Sequence, residues 1–246
     1  MQAGEGKGRR TLSREGKVFV NLTSLHVSPE FWDRLAPWYE RWASRGRYHQ
    51  PIVGEISKFC EPGWRILDIG AATGTLAIPL AGLGCRVDAL EPSSEMLRFM
   101  MDKLQRLDLH MAIHPLPCTW ESFVPTQETY DVILACNSLH LTRGGLRSGL
   151  EKIFDLGSRY VLLITEIGES IFIDFKALHE SQQAYDFMFI KTLELDSSFY
   201  FASQGEAEEV RLLLGTDLEV LPCGTSFIQR DRATAATVLW ERKGMT

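Results

Sequence analysis

Nothing in the sequence offers a membrane-crossing segment, because no apolar run nears the roughly 18 residues that a transmembrane helix needs. Cysteine is sparse. Cys60, Cys85, Cys118, Cys136 and Cys223 are widely spaced, odd in number and free of any CxxC pair. Such a set gives neither a disulfide framework nor a zinc site, and it reads as reduced thiols in a cytoplasmic protein. Positive charge is short as well. The 26 Lys and Arg residues against 32 Asp and Glu leave a net charge of -6, which argues against a nucleic-acid binder that depends on bulk charge. Internal repeats and low-complexity tracts are absent. The opening MQAGEGKGRRTLSREGK lacks the apolar centre of a signal peptide, so residues 1–27 read as a flexible arm. What is present is an ordinary globular composition, 45% apolar and 24% charged, with one domain expected over 28–246.

Order is expected from Ser28-Pro29-Glu30, a capping hydroxyl followed by proline and an acid in the first turn. Phe31, Leu35, Tyr39 and Trp42 recur at helical spacing, with a kink expected at Pro37. A second helix is expected over 51–60, so that residues 28–60 form an amino-terminal helical pair. Short apolar strands are then expected over 65–69, 86–90, 110–115, 130–136 and 160–165. They alternate with helices over 75–82, 94–107 and 146–156. This alternation predicts an α/β fold, a doubly wound and mostly parallel sheet with helices on both faces. Ser203 and Glu206 fit a capping box that opens a helix to Leu214. Strands over 218–221, 225–229 and 237–240 predict an antiparallel carboxyl-terminal edge. Between these parts, residues 168–204 read as an aromatic-rich insert. Residues 171–201 hold eight aromatics in 31 positions, against 10% for the chain. Two readings stand for it: core or homodimer interface, or a lid over a substrate pocket.

The strongest chemical signal is Leu67-Asp68-Ile69-Gly70-Ala71-Ala72-Thr73-Gly74 at a strand-to-helix junction. Glycines there let the backbone turn sharply and approach a ligand, and the following helix offers unpaired N–H groups. Glu91 ends the next strand, where a carboxylate can accept from both hydroxyls of a ribose. Together they form a nucleoside-binding pair. The dinucleotide pattern counted from Gly70 would need glycine at positions 72 and 75, where Ala72 and Thr75 stand, and no GKS or GKT follows to make a phosphate loop.

With these residues the chain resembles the class I S-adenosylmethionine-dependent methyltransferases of small-molecule type. The resemblance rests on LDIGAATG, the acid in VDALEPS, the SSEMLRFM helix, YDVILACNSLHL and the preceding FWDRLAPWYERW. It covers residues 31–166 and the strand-rich tail. It implies a seven-stranded Rossmann-like sheet and S-adenosylmethionine as cofactor. Position by position, it implies that Gly70, Ala71, Ala72 and Gly74 wrap the methionine part and ribose, and that Asp68 orients the loop. Glu91 would hold the ribose, with Pro92 and Met96 against the adenine. Thr119, Trp120 and Glu121 would meet the adenine edge, Asn137 and Ser138 the methionine chain, and Tyr39 would close the site from above. Ala72 departs from the family's usual glycine. The Asp/Asn-Pro-Pro-Tyr/Phe element of base-amino methyltransferases is missing, which points to a small-molecule acceptor and away from nucleic acid or membrane.

No metal cluster stands out. A general base is optional for an activated sulfonium methyl. His140 is the first candidate, followed by His49, Tyr48 and Tyr185. The net acidity of the insert suits a neutral or cationic acceptor. Two competing readings are a non-catalytic S-adenosylmethionine-binding protein and a nicotinamide-dependent oxidoreductase. The missing Tyr-x-x-x-Lys dyad opposes the latter. Glu91, as a solvent-reachable strand-end carboxylate, is expected to matter for the ligand and little for stability.

Overall fold

The computed structural model describes residues 28–125, 129–167, 183–215 and 217–244. Five parallel strands form its centre: β1 (Arg65–Ile69), β2 (Arg86–Leu90), β3 (Ile113–Leu116), β4 (Val132–Cys136) and β5 (Tyr160–Glu166). They are joined by two further strands, β6 (Tyr185–Asp196) and β10 (Arg232–Arg242), in the order β3-β2-β1-β4-β5-β10-β6. β10 runs antiparallel to both neighbours. A small separate sheet pairs β7 (Phe199–Phe201), β9 (Ser226–Gln229) and β8 (Leu221–Cys223) in the order β7-β9-β8.

The strands are apolar throughout because both faces are covered. Alternate residues go to opposite layers. Ile66, Val132, Leu134 and Ile164 join one apolar cluster with Ile52, Leu80 and Leu104. Leu67, Ile69, Ile133 and Leu163 join the other with Leu150, Ile153 and Phe154. The first layer is built by α1 (Pro29–Arg45), α2 (His49–Ile56), α3 (Ala77–Gly82) and α4 (Ser94–Leu107), and the second by α5 (Gly145–Leu156). β1, β2 and α4 begin and end where the sequence places them.

Several expectations are corrected. The carboxyl-terminal strand does not form the edge: β10 is wedged between β5 and β6, and β6 is the edge. The tail stretches near 221 and 226 pair with each other, and the latter with β7, instead of closing the main sheet. Residues 183–204 are not an insert or lid either. β6 pairs along its whole length with β10. Tyr185 is buried against Phe154 at 4.9 Å, with its hydroxyl donating to the Ser158 carbonyl. Phe199 and Phe201 stack at 4.6 Å and are buried. The core reading therefore holds for these aromatics, which removes Tyr185 as a base. Phe172, Phe175 and the rest of 168–182 lie outside the described residues, as does the arm 1–27. α1 runs through Pro37 without ending, since the proline lies on its exposed side. Second-helix residues stop at Ile56, and turns carry the chain to Cys60.

α1 positions the site, and polar links from Asp33, Glu40 and Arg41 help to hold it. The Asp33 carboxylate accepts from Ser93 Oγ at 2.6 Å and from the Glu95 backbone N–H at 3.0 Å, at the start of α4. These donors hold its pKa below the ordinary carboxylate range, as expected for an anion at a helix amino terminus. Glu40 pairs with Lys103 of α4 at 2.6 Å. Arg41 pairs at 2.6 Å with Glu206 of α6 (Gln204–Leu214). In α6, Ser203 accepts from the Glu206 N–H as a capping box requires, but the Glu206 carboxylate turns to the Ala202 N–H instead of back to Ser203. Asp33→Ala should lower the unfolding free energy by about 1–2 kcal/mol, the usual cost of a lost cap. Denaturant titration would reveal it, together with faster proteolysis within α1.

Candidate active site

The carboxyl ends of β1, β2, β4 and β5 open into a cavity of about 390 Å³ roofed by α1 and α2. This is the edge at which open α/β sheets take ligands. The loop after β1 is folded back on β2: the N–H groups of Gly70 and Ala71 both donate to the Leu90 carbonyl, at 2.8 and 3.0 Å. Gly70 has φ +75°, Ala72 +49° and Gly74 +82°. Alanine at 72 therefore occupies the left-handed region that glycine favours. A β-carbon on Gly70 would lie 2.5 Å from Ser138 Cβ, and one on Gly74 would press on Ile78 and Met100 at 3.0 Å. Gly70 is thus required first by the approach of the β4 end, and Gly74 by packing.

Glu91 is buried. Its two carboxylate oxygens divide between the loops: one accepts from the Ala72 N–H and the other from the Ser93 N–H, each at 2.9 Å. Burial pushes its pKa up to about 7, against the pull of these two N–H donors. The same cause, with the charge of Glu91 added, pushes Asp68 up to about 7. Asp68 is buried in β1, and one of its oxygens has no hydrogen-bond partner among the described residues. The expectation that Glu91 would be solvent-reachable and structurally idle is therefore corrected, since it bridges two loops.

Of the residues expected at a ligand, Tyr39, Gly70, Ala72, Glu91, Pro92, Met96, Thr119, Trp120, Glu121, Asn137, Ser138 and His140 all line the cavity. Asp68, Ala71 and Gly74 do not; they are buried beside it or in the loop's packing. Trp120 is buried, stacked on Phe123 at 5.8 Å with the Lys152 ammonium 4.4 Å from its ring centre, and its indole N–H has no partner among the described residues. Glu121 accepts from the Arg143 N–H at 2.7 Å, so its carboxylate fixes the turn after β4. Ser138 donates to the Ile69 carbonyl. His140 stands in the short turn Leu139–Leu141, and burial lowers its pKa.

The sequence reading missed Glu166, Thr165, Trp32 and Arg143, which line the same cavity. Glu166 ends β5 as Glu91 ends β2, so the same signal, an acid at a strand's carboxyl end, marks it. It belongs to a closed ring of bonds. The Tyr48 hydroxyl donates to Glu166, the Asn137 amide donates to the Tyr48 oxygen at 2.6 Å, and the Glu166 N–H donates to the Asn137 side-chain oxygen at 2.8 Å. Asn137 adopts φ +50°, a conformation asparagine tolerates better than most residues. Burial, with the Glu166 charge beside it, keeps the Tyr48 phenol protonated.

Residues 66–156 match the family model of a methyltransferase domain. A stretch of 121 residues is 36% identical to the ubiquinone biosynthesis O-methyltransferase of Bradyrhizobium diazoefficiens, covering 44% of this chain and 46% of that protein. The chain thus spans about half the length of this curated relative. Among solved structures, the cyclase SpnF superposes with a TM-score of 0.61 at 12% identity, over 87% of this chain and 95% of that one. YcgJ of Bacillus subtilis gives 0.53 at 14%, over 80% and 100%. The magnesium protoporphyrin IX methyltransferase of Synechocystis, solved with bound S-adenosylmethionine, gives 0.50 at 14%, over 77% and 79%. At such identities the likeness is one of fold, and a fold shared with a cyclase does not by itself fix a reaction.

Two variants test this construction. Glu91→Ala should lower the stability of the ligand-free protein by about 1–3 kcal/mol, the cost of leaving buried N–H groups unsatisfied; an unchanged denaturant midpoint would mean that the bridge is not needed. Gly70→Ala should be more destabilising alone than in a Ser138→Gly background. The clash is relieved there, while the left-handed cost of about 1–2 kcal/mol stays.

Proposed function

We propose that the chain is a class I S-adenosylmethionine-dependent methyltransferase and that it transfers a methyl group to a small-molecule acceptor, a reading supported by the match of residues 66–156 to a methyltransferase domain. The observation that carries this reading is Glu91, a carboxylate in the wall of the cavity at the end of β2, tied to the turn that follows β1. A nucleoside's ribose diol is the ligand group suited to it. The residues present fit the cofactor. Asp68 and Trp120 each hold a buried polar atom without a partner among the described residues. In this reading the loop from Gly70 to Gly74, Ala71 and Ala72 included, holds the methionine part and ribose, with Asp68 orienting it. Pro92 and Met96 contact the adenine, and Thr119 and Trp120 meet its edge. Glu121 shapes that pocket through the turn that it fixes. Asn137 and Ser138 flank the methionine chain, and Tyr39 closes the site.

When bound, S-adenosylmethionine supplies a methyl group on a sulfonium, activated for in-line displacement. The protein's part is alignment and exclusion of water. The imidazoles of His49 and His140 are both held towards the neutral form by burial, so neither opposes a cationic ligand. A small-molecule acceptor is supported by the roofed cavity, the net charge of -6 and the Cys136-Asn137-Ser138-Leu139 sequence after β4. Five free thiols support a reducing compartment, the cytoplasm, in this reading.

S-adenosylhomocysteine should bind and raise the melting temperature, and NAD should not. Only the ionised Glu91 can accept from both ribose hydroxyls, and its pKa in the free protein is about 7. Affinity should therefore be level above that pH and fall as pH drops through it, by up to about tenfold per unit. Glu91→Gln should weaken binding and flatten the profile. Calorimetry at several pH values checks this, and absence of binding by S-adenosylhomocysteine would sink the assignment.

A further inference from the structure

We infer that the methyl acceptor is a neutral aromatic hydroxyl compound and that His49 receives its hydroxyl proton; the inference rests on the methyltransferase reading above.

The wall of the cavity under α1 and α2 is made of rings. Trp42 lies 5.5 Å from Tyr39, 4.9 Å from Tyr48 and 5.4 Å from His49, and Tyr48 lies 5.0 Å from His49, all between ring centres. All four line the cavity. Such a wall suits a flat, largely apolar guest. The polar ends of two of these rings are already engaged. The Trp42 N–H donates to the Ser197 carbonyl, and the Tyr48 hydroxyl donates to Glu166 while accepting from Asn137. His49 differs: it makes ring contacts, but neither of its nitrogens has a hydrogen-bond partner among the described residues. It is a polar group at the cavity with nothing from the protein to satisfy it.

The charges nearby select the guest. Around His49 stand the Tyr39 and Tyr48 phenols, both kept protonated by burial, Lys103 of α4 with its partner Glu40, and Glu166 beyond Tyr48. Burial and the positive charge of Lys103 push His49 down to about 4, so it presents a lone pair at ordinary pH. Glu40 balances the Lys103 charge and the Glu166 carboxylate is engaged by the Tyr48 hydroxyl, so the rings offer an ammonium guest no counter-charge, and a sulfonium in the same cavity repels it. An acidic guest has no counter-charge at the rings: Lys103 is bound to Glu40 and to Thr73 Oγ1, and the Arg143 charge acts on Glu121. A neutral guest that donates one hydrogen bond remains. His140 lines the same cavity but makes no ring contact among the described residues.

In the transfer, a lone pair on the hydroxyl oxygen forms the bond to the methyl carbon, and the carbon–sulfur pair returns to sulfur, leaving a neutral thioether. The O–H bond breaks and its proton passes to His49. As the oxygen gives up its pair it becomes strongly acidic, so a weak base suffices if it is in place. His49 then loses the proton to water.

The experiment compares three ligands that share one hydroxylated ring: catechol, which is neutral, protocatechuate, which adds a carboxylate, and dopamine, which adds an ammonium. Binding of S-adenosylhomocysteine is measured first by calorimetry, and its failure would condemn the cofactor reading itself. Each ligand is then titrated into the S-adenosylhomocysteine-loaded protein. Catechol should bind about tenfold more tightly than either charged relative. His49→Asn and His49→Gln should weaken catechol by about fivefold, the worth of one hydrogen bond, with affinity for S-adenosylhomocysteine unchanged. Transfer of labelled methyl to catechol should fall by about a hundredfold in the same variants. If the loaded protein ignores catechol, binds a charged relative equally well, or loses nothing at His49, the inference is wrong. The wild-type ranking decides the acceptor class even if the variants do not fold.

Discussion

The site depends on a buried carboxylate that serves two loops at once. Glu91 accepts from the Ala72 N–H on one side and the Ser93 N–H on the other. Through these bonds it fixes the turn after β1 and the entry to α4 in one step. Ser93 then passes the constraint on, because its hydroxyl caps α4 by accepting from the Met96 N–H and donates to Asp33 of α1. A chain of hydrogen bonds therefore runs from the glycine loop through a strand end and a helix cap to the helix that roofs the cavity. Ionising such a carboxylate is opposed by burial, and the raised pKa records that opposition. The loop amides make the bridge geometrically definite, and a bound diol would add donors that favour the ionised form.

The opposite side of the cavity is organised by a second polar ring, Asn137–Tyr48–Glu166. It joins the ends of β4 and β5 to the start of α2. The two constructions share a logic. Each sets an acid at the carboxyl end of a parallel strand and ties it to an element that arrives from elsewhere in the chain. The cavity between them is therefore held by side chains at or directly beside the ends of strands and helices, whose positions the sheet fixes.

How much of this was legible in the sequence depends on whether the deciding interaction is local. β1, β2 and α4 are bounded by short-range signals: apolar runs of five residues, the Glu91-Pro92 stop, and Ser93 before an amphipathic stretch. The pairing of Glu91 with the glycine loop was legible for the same reason. β6 was not. Its middle, Met188 to Thr192, is exposed on the sheet edge and lacks alternation, so it read as an insert. Only pairing with β10, tens of residues further on, makes it a strand. The wedged position of β10 is equally a matter of long-range pairing. Asp33 carries no motif either, since its partners lie about 60 residues away. Glu166 was missed for a smaller reason: the apolar run stops at Thr165, and the acid that continues the strand looked like loop.

The electrostatics at the glycine loop suit a cationic ligand. The charge of Glu91 adds to burial in raising the cost of ionising Asp68, and an uncompensated buried charge is a burden on stability. Near them, His49 is discharged by burial and by Lys103, and that lysine is itself drawn to Glu40 and Thr73. Among the described residues, the acids at the loop thus have no basic side chain paired with them, while nearby bases are neutralised or tied away. A ligand that brings positive charge to the loop would relieve the repulsion between the acids and lower both pKa values. Charge discarded from the ring wall by the neutral imidazole would in turn leave that wall to a guest without charge. The division of one cavity into an acidic part and a neutral aromatic part fits the proposed reading, in which two substrates meet there.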